Sequence, residues 1–148
     1  MLLIGIGNAF RGDDAAGLTV ARAVAARHLP GVEVIEHHGE GAELIELWRD
    51  RDRVVVVDAV SSGAAPGTLH HLDAAQPLPA HLLCFSSHAF GLAQAIEMAR
   101  ALDRLPASLT IIGIEGKSWT HGAPLDPAVA AAVEEAVGML LAVPAAPA

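Results

Sequence analysis

Three side chains set far apart in the sequence carry the chemistry this chain can do: Asp14, Asp58 and His88. Each stands where one element should give way to another. Asp14 ends the stretch GIGNAFRGDD, an apolar run that breaks into glycines, an asparagine and a pair of acids. Asp58 closes on the valine-rich run RVVVVDAV, and His88 follows two serines and precedes an alanine-rich segment. Two carboxylates and one imidazole make an O, O, N donor set, which zinc, nickel, cobalt and iron accept. Three protein ligands leave coordination positions open for water or a substrate group. Spacing alone is a weak signal, because no HExxH or CxxC pattern accompanies it. Each residue also has an ordinary use: Asp13 or Asp14 as a helix N-cap, Asp58 as a loop cap, His88 as a cap or packing residue. At a helix start, Asp14 is expected to be held ionised by the helix dipole.

The other polar residues point less clearly to chemistry. His37 and His38 open the segment HHGEG, but neighbours on an extended chain face opposite ways, which argues against a joint role. His70 and His71 alternate in the same manner and are expected to be solvated, as are Glu43 and Glu46 on a helix face. Cys84 is the sole cysteine, so no internal disulfide and no multi-cysteine zinc site can form. Its setting, LLCF, reads as buried core. Ser86 and Ser87 lack the G-x-S-x-G frame of a hydrolase elbow. Gly5 and Gly7 begin a G-x-G, but the third glycine arrives only at Gly12. Glu36 partly meets the need for an acid after the second strand, so a nucleotide site stays as a minor alternative.

The elements that must position these groups follow from the apolar pattern. The chain has 148 residues, of which 53% are hydrophobic and only 3% aromatic. That length suits one domain, here 1–141 with a frayed tail at 142–148, and the core must be built from Val, Leu, Ile and Ala. Strands are predicted at 2–6, 32–35, 53–60, 68–72 and 109–114, and helices at 14–27, 42–48, 89–102 and 127–141. Residues 74–80 read as connection. Four consecutive valines imply a central strand buried on both faces. Alternating strands and helices define a three-layer α/β/α domain, whose sites form beyond the carboxyl ends of the strands. A net charge of −8 disfavours nucleic-acid binding. No apolar run is long enough for a membrane span, and the first residues lack the pattern of a signal peptide, so a cytoplasmic location is expected.

The motifs GIGNAFRGDDAAGLTVA, VVVVDAVSSGAAPGTL, SSHAFGLAQAIEMARAL and LTIIGIEG, taken in this order, resemble those of the nickel–iron hydrogenase maturation endopeptidases. The resemblance covers roughly residues 1–141. It implies an α/β, three-layer, phosphorylase/hydrolase-like fold with a five-stranded, mostly parallel but mixed sheet. It also implies an aspartic-type endopeptidase that removes the carboxy-terminal extension of a hydrogenase large subunit after nickel insertion. The family's nickel-contacting acid falls on Asp14, where many members carry Glu; its strand-end aspartate falls on Asp58 and its histidine on His88. These three are the expected catalytic and metal-contacting residues. The expected partner is the nickel-loaded large-subunit precursor. The metal is expected to come with the substrate, with no tightly bound cofactor of the protein's own and a monomer favoured. One departure stands out: EHHGEG, residues 36–41, replaces an Asp-Gly-Gly-Thr-like segment, with Glu36 as the stand-in acid. A docking chaperone that does not cut, or a free-standing metallopeptidase, are the competing readings.

Overall fold

A computed structural model describes residues 1–79 and 91–143. The apolar runs form five strands: β1 (Leu2–Ile6), β2 (Glu33–His37), β3 (Arg53–Val60), β4 (Leu69–Asp73) and β5 (Ser108–Glu115). They lie in the order β2-β1-β3-β5-β4, with β4 antiparallel and the others parallel. β1 is buried throughout, and so are the four valines of β3. This is the pattern of parallel strands covered on both faces. Leu3, Val55, Val57, Ile112 and Ile114 pack toward α1 (Ala16–Ala25) and α4 (Pro127–Leu141). Leu2, Ile4, Ile6, Val54, Val56 and Ile111 pack toward α2 (Gly41–Trp48) and α3 (Leu92–Ala101). The result is the expected three-layer α/β/α domain with a mixed five-stranded sheet.

The register sets the edge that matters. Gly5 lies opposite Val57, and Asp58 lies opposite Gly113. Asp58 is therefore the next residue outward at the carboxyl ends of β1 and β3. The chain leaves β1 toward β2 on one side, while β3 occupies the other, so the crevice between β1 and β3 is the topological switch point. α1 sits down on this edge through bare backbone. A Cβ added to Gly17 would overlap the carbonyl oxygens of both Ile6 and Val57. Only glycine permits that approach.

The boundaries depart from expectation at one functional place. The helix predicted from residue 14 starts later: Gly12–Ala15 is a 3-10 turn, and α1 begins at Ala16. Neither Asp13 nor Asp14 is an N-cap, since Ala15 holds that position and makes no side-chain cap bond. At two other helices a carboxylate side chain caps the start. Glu40 accepts from the amides of Ala42 and Glu43 at the start of α2, and Asp126 accepts from Ala128 ahead of Pro127 in α4. Ala142 still bonds to Gly138, so the last turn extends past residue 141, and residues 144–148 lie outside the described region.

Candidate metal-binding crevice

The turn after β1 is fixed by backbone bonds. Gly7 N–H donates to His37 O (3.0 Å), Asn8 N–H to Asp14 O (3.2 Å), and Asp14 N–H to Arg11 O (3.1 Å). Asn8 Oδ1 accepts from Phe10 N–H (2.9 Å). A Cβ at Gly7 would collide with the Asp14 carbonyl, so the tight turn requires glycine there. The chain thus delivers Asp13 and Asp14 to fixed positions beside the strand ends.

The two acids then part company. Asp13 is fully buried and turned inward. Its Oδ2 accepts from the amides of Lys117 (2.7 Å) and Ser118 (2.8 Å), and its Oδ1 from Asp126 N–H (2.8 Å). Its own amide donates to Ser118 O (2.8 Å). Asp13 is a structural knot tying the first turn to the segment before α4. Asp14 stays partly exposed, and burial raises its carboxyl pKa above the ordinary 3.8, with Arg11 pulling the other way. Asp14 lies in the 3-10 turn ahead of α1 and not at that helix's N-cap, and loss of hydration is the larger influence on its carboxyl.

Asp58 is pushed further. Burial raises its pKa well above 3.8, the charge of Asp14 adds to the rise, and the Ala59 amide opposes it. The residue still keeps some surface, so it is not sealed within the core. Asp14 comes from the turn after β1 and Asp58 from β3, and the charge of Asp14 acts on Asp58. Such a pair can work as a proton-sharing acid and base, or can be neutralised together by one cation. A divalent ion fits this donor chemistry, because it offsets the like-charge repulsion that the crevice otherwise imposes. His88 lies outside the described residues, as do Cys84, Ser86 and Ser87.

Several residues behave otherwise than the sequence indicated. His70 is not solvated: it is largely buried and its Nε2 stands 3.2 Å from Glu115 Oε1. Glu115 is buried as well, and accepts from the Ser62 amide (2.8 Å) and hydroxyl. This cluster pins the loop that follows β3. Sequence reasoning passed over Glu115, though an acid ending the apolar run LTIIGIE was its visible signal. His71 is exposed, as expected. Glu36 pairs with Arg22 on α1 (2.8 Å). The two residues after it, the last of β2 and the first beyond it, behave differently: His37 and His38 do not diverge but stack, and both reach Glu43. Glu43 is exposed but paired, and Glu46 is exposed and pairs with Arg49. A cleft of about 290 Å³ beside His71, Asp73 and Ser108 lies at the opposite end of the sheet, away from Asp58.

A mixed α/β sheet with two acids at its switch point places the chain among α/β proteins that gather a ligand site at the carboxyl ends of their parallel strands. Comparison narrows the class. The family model described as hydrogenase maturation protease matches residues 18–143. The hydrogenase 2 maturation protease of Escherichia coli is 32% identical over 145 residues, covering 96% of this chain and 88% of the relative. The hydrogenase expression/formation protein HupD of Rhizobium leguminosarum is 30% identical, covering 95% of this chain and 73% of the relative. Among solved structures, the E. coli hydrogenase maturating endopeptidase HybD superposes with a TM-score of 0.72 at 28% identity, covering 95% of this chain and 89% of that one. The HycI protease of Thermococcus kodakarensis shares the fold, with a TM-score of 0.71 at 23% identity and 94% and 88% coverage. The chain belongs to the hydrogenase maturation protease family, and is a peptidase of that family.

Proposed function

We propose that this protein removes the carboxy-terminal extension of a nickel–iron hydrogenase large-subunit precursor once nickel is in place. Asp14, Asp58 and His88 read the nickel, which belongs to the substrate. The observation that carries this reading is placement: Asp14 lies in the turn that follows β1 and Asp58 in β3 just beyond the last β1 pair, at the switch point, where the charge of Asp14 adds to the rise in the Asp58 pKa. The cation carried by a loaded precursor offsets that charge, and an empty precursor does not. A charge-assisted contact contributes about 1.5–3 kcal/mol, so each one gives roughly ten- to a hundredfold preference for loaded over empty partner.

When present, the nickel supplies polarisation of a carbonyl or a bound water. The protein's own residues do the rest. In the resting crevice the pair takes up a proton more readily than an isolated carboxylate, and Asp58 is the more strongly shifted member. A cation docked there favours the ionised form of both acids. Asp14 or Asp58, once released from the metal, is then the general base for the attacking water. His88 enters as the third contact by its place in the motif SSHAFG. The family's work on hydrogenase precursors fits an enzyme acting as a monomer in the cytoplasm.

The test is mass spectrometry of candidate large subunits incubated with the protein, with and without nickel. The expected result is loss of a carboxy-terminal peptide in the nickel-loaded sample only. Stoichiometric binding with no change in substrate mass replaces the peptidase by a docking chaperone. Equal cleavage of the empty subunit removes nickel from recognition.

A further inference from the structure

His37, His38 and Glu43 gather on the β2 side of the same sheet edge. Their candidate ligand atoms all lie within 4.8 Å of one another. Glu43 Oε2 stands 2.8 Å from His37 Nε2 and 3.4 Å from His38 Nε2. The two rings stack with centroids 4.5 Å apart and planes inclined by 23°. In a tetrahedral site with ligands at about 2.0–2.2 Å, neighbouring donor atoms stand roughly 3.3–3.6 Å apart. The observed separations come within small side-chain adjustments of that geometry. We propose that His37, His38 and Glu43 form a site for one divalent cation of the zinc or nickel type, held by this chain itself and separate from Asp14 and Asp58.

The donor set is chemically suited. Imidazole nitrogen and carboxylate oxygen favour borderline first-row ions over calcium or magnesium, which prefer oxygen cages. The site is also part fixed and part adaptable. His37 is held: its side chain is only 10% exposed, and its carbonyl accepts the Gly7 amide. His38 and Glu43 are more than half exposed, so they can close on an ion. Water, or a donor from a partner, completes the fourth position.

The metal-free arrangement shows what loading must change. Gly39 N–H donates to His37 Nδ1 (2.9 Å), so the ring proton sits on Nε2 and faces Glu43. A cation takes the place of that proton between Nε2 and the carboxylate. The ring proton moves to Nδ1, and no proton is lost from the ring. The Gly39 amide must then turn away, since two donors cannot face each other. Gly39 sits at φ 100°, a region that leaves a glycine free to make such a turn.

The experiment uses the untagged full chain without substrate, titrated calorimetrically with Zn²⁺ and, separately, Ni²⁺. One saturable site in the micromolar range or tighter is expected. The double variant His37→Ala/His38→Ala should weaken it by more than about a hundredfold, since even losing an outer-shell partner costs 10–100-fold. Glu43→Gln should weaken it at least about tenfold, while Asp14→Asn should leave it in place. The Gly39 amide resonance should shift on loading. Circular dichroism checks that the variants fold, and the exposed single variant His38→Ala serves if the double variant does not. Absence of saturable binding by the natural chain, or unchanged binding by the histidine variants, overturns the assignment. Neither result bears on precursor cleavage, so this site and the proposed function stand or fall separately.

Discussion

Asp13 and Asp14 are neighbours with the same side chain, and the fold treats them in opposite ways. Asp13 is buried among three backbone amides that all donate to it. Asp14, one residue on, is partly exposed, and its carboxyl is shifted toward protonation by burial. The first arrangement matches a charge with donors and makes a strut. The second brings a charge up to another acid, Asp58, and leaves the mismatch in place. An acid serving only stability would be satisfied as Asp13 is. Carboxylates kept short of compensation mark a place where a cation or a proton is meant to arrive.

The largest effect should come from the uncompensated side. Asp14→Asn or Asp58→Asn keeps the shape and removes the charge. Processing of a nickel-loaded precursor should fall by about 10²–10⁴-fold, the range for a lost acid–base or ligand group. The urea midpoint should stay level or rise. Normal cleavage in either variant would assign that acid to structure and erase the contrast with Asp13.

Asp13→Ala should do the reverse. It strands the amides of Lys117, Ser118 and Asp126 in a partly buried place, and Asp126 caps α4. Charge-assisted bonds of this kind are worth about 1.5–3 kcal/mol each and do not add fully, so a loss of about 3–5 kcal/mol is expected. That approaches the whole stability of many domains. Chemical denaturation measures it, and a loss below about 1 kcal/mol would remove Asp13's role as strut.

How the two acids divide their work was not legible in the sequence, because the decision is made more than a hundred residues away. The donors to Asp13 come from residues 117, 118 and 126, and no local pattern around GDD announces them. The elements themselves were legible. RVVVVDAV reads as a doubly covered strand, and Val129, Val133, Val137 and Leu140 mark a buried helix face. Local rules failed where an element stopped. Alternation would separate His37 from His38, but β2 ends at His37, and the chain turns through Gly39. The pairing of His70 with Glu115 needed the knowledge that β4 joins β5 in the antiparallel sense, which places His70 opposite Gly113. Asp14 and Asp58 are singled out by the sequence because both follow apolar runs, and the switch-point rule weights such places.

Gly17→Ala tests what holds Asp14 at the crevice. The added methyl would press on the carbonyls of Ile6 and Val57, both backbone atoms that cannot swing aside. Overpacking of this kind costs about 1–3 kcal/mol. It should also lift the start of α1 off the strand ends and weaken the field between Asp14 and Asp58. Denaturation gives the first effect, and carboxyl ¹³C titration of Asp58 the second. A stable variant with an unaltered Asp58 titration would show that α1 does not set this geometry.

The smallest effect is a pH dependence with a definite sign. In the unfolded chain Asp58 titrates near 3.8, and in the fold well above it, so the folded protein binds the proton more tightly. Between those two values stability falls as pH rises, because ionising Asp58 is harder in the fold. The Asp58→Asn variant carries no charge to ionise. Its stability advantage over the natural chain should therefore be absent below 3.8, open as pH rises, and level off once the folded Asp58 has lost its proton. Asp14→Asn should narrow that gap without closing it, since burial is the larger cause and the neighbour's charge the lesser. Urea midpoints across a pH series give all three curves. A gap of constant size at every pH would mean that the introduced amide stabilises by better packing and that the crevice holds no strained charge, which would make Asp58 resemble Asp13 after all.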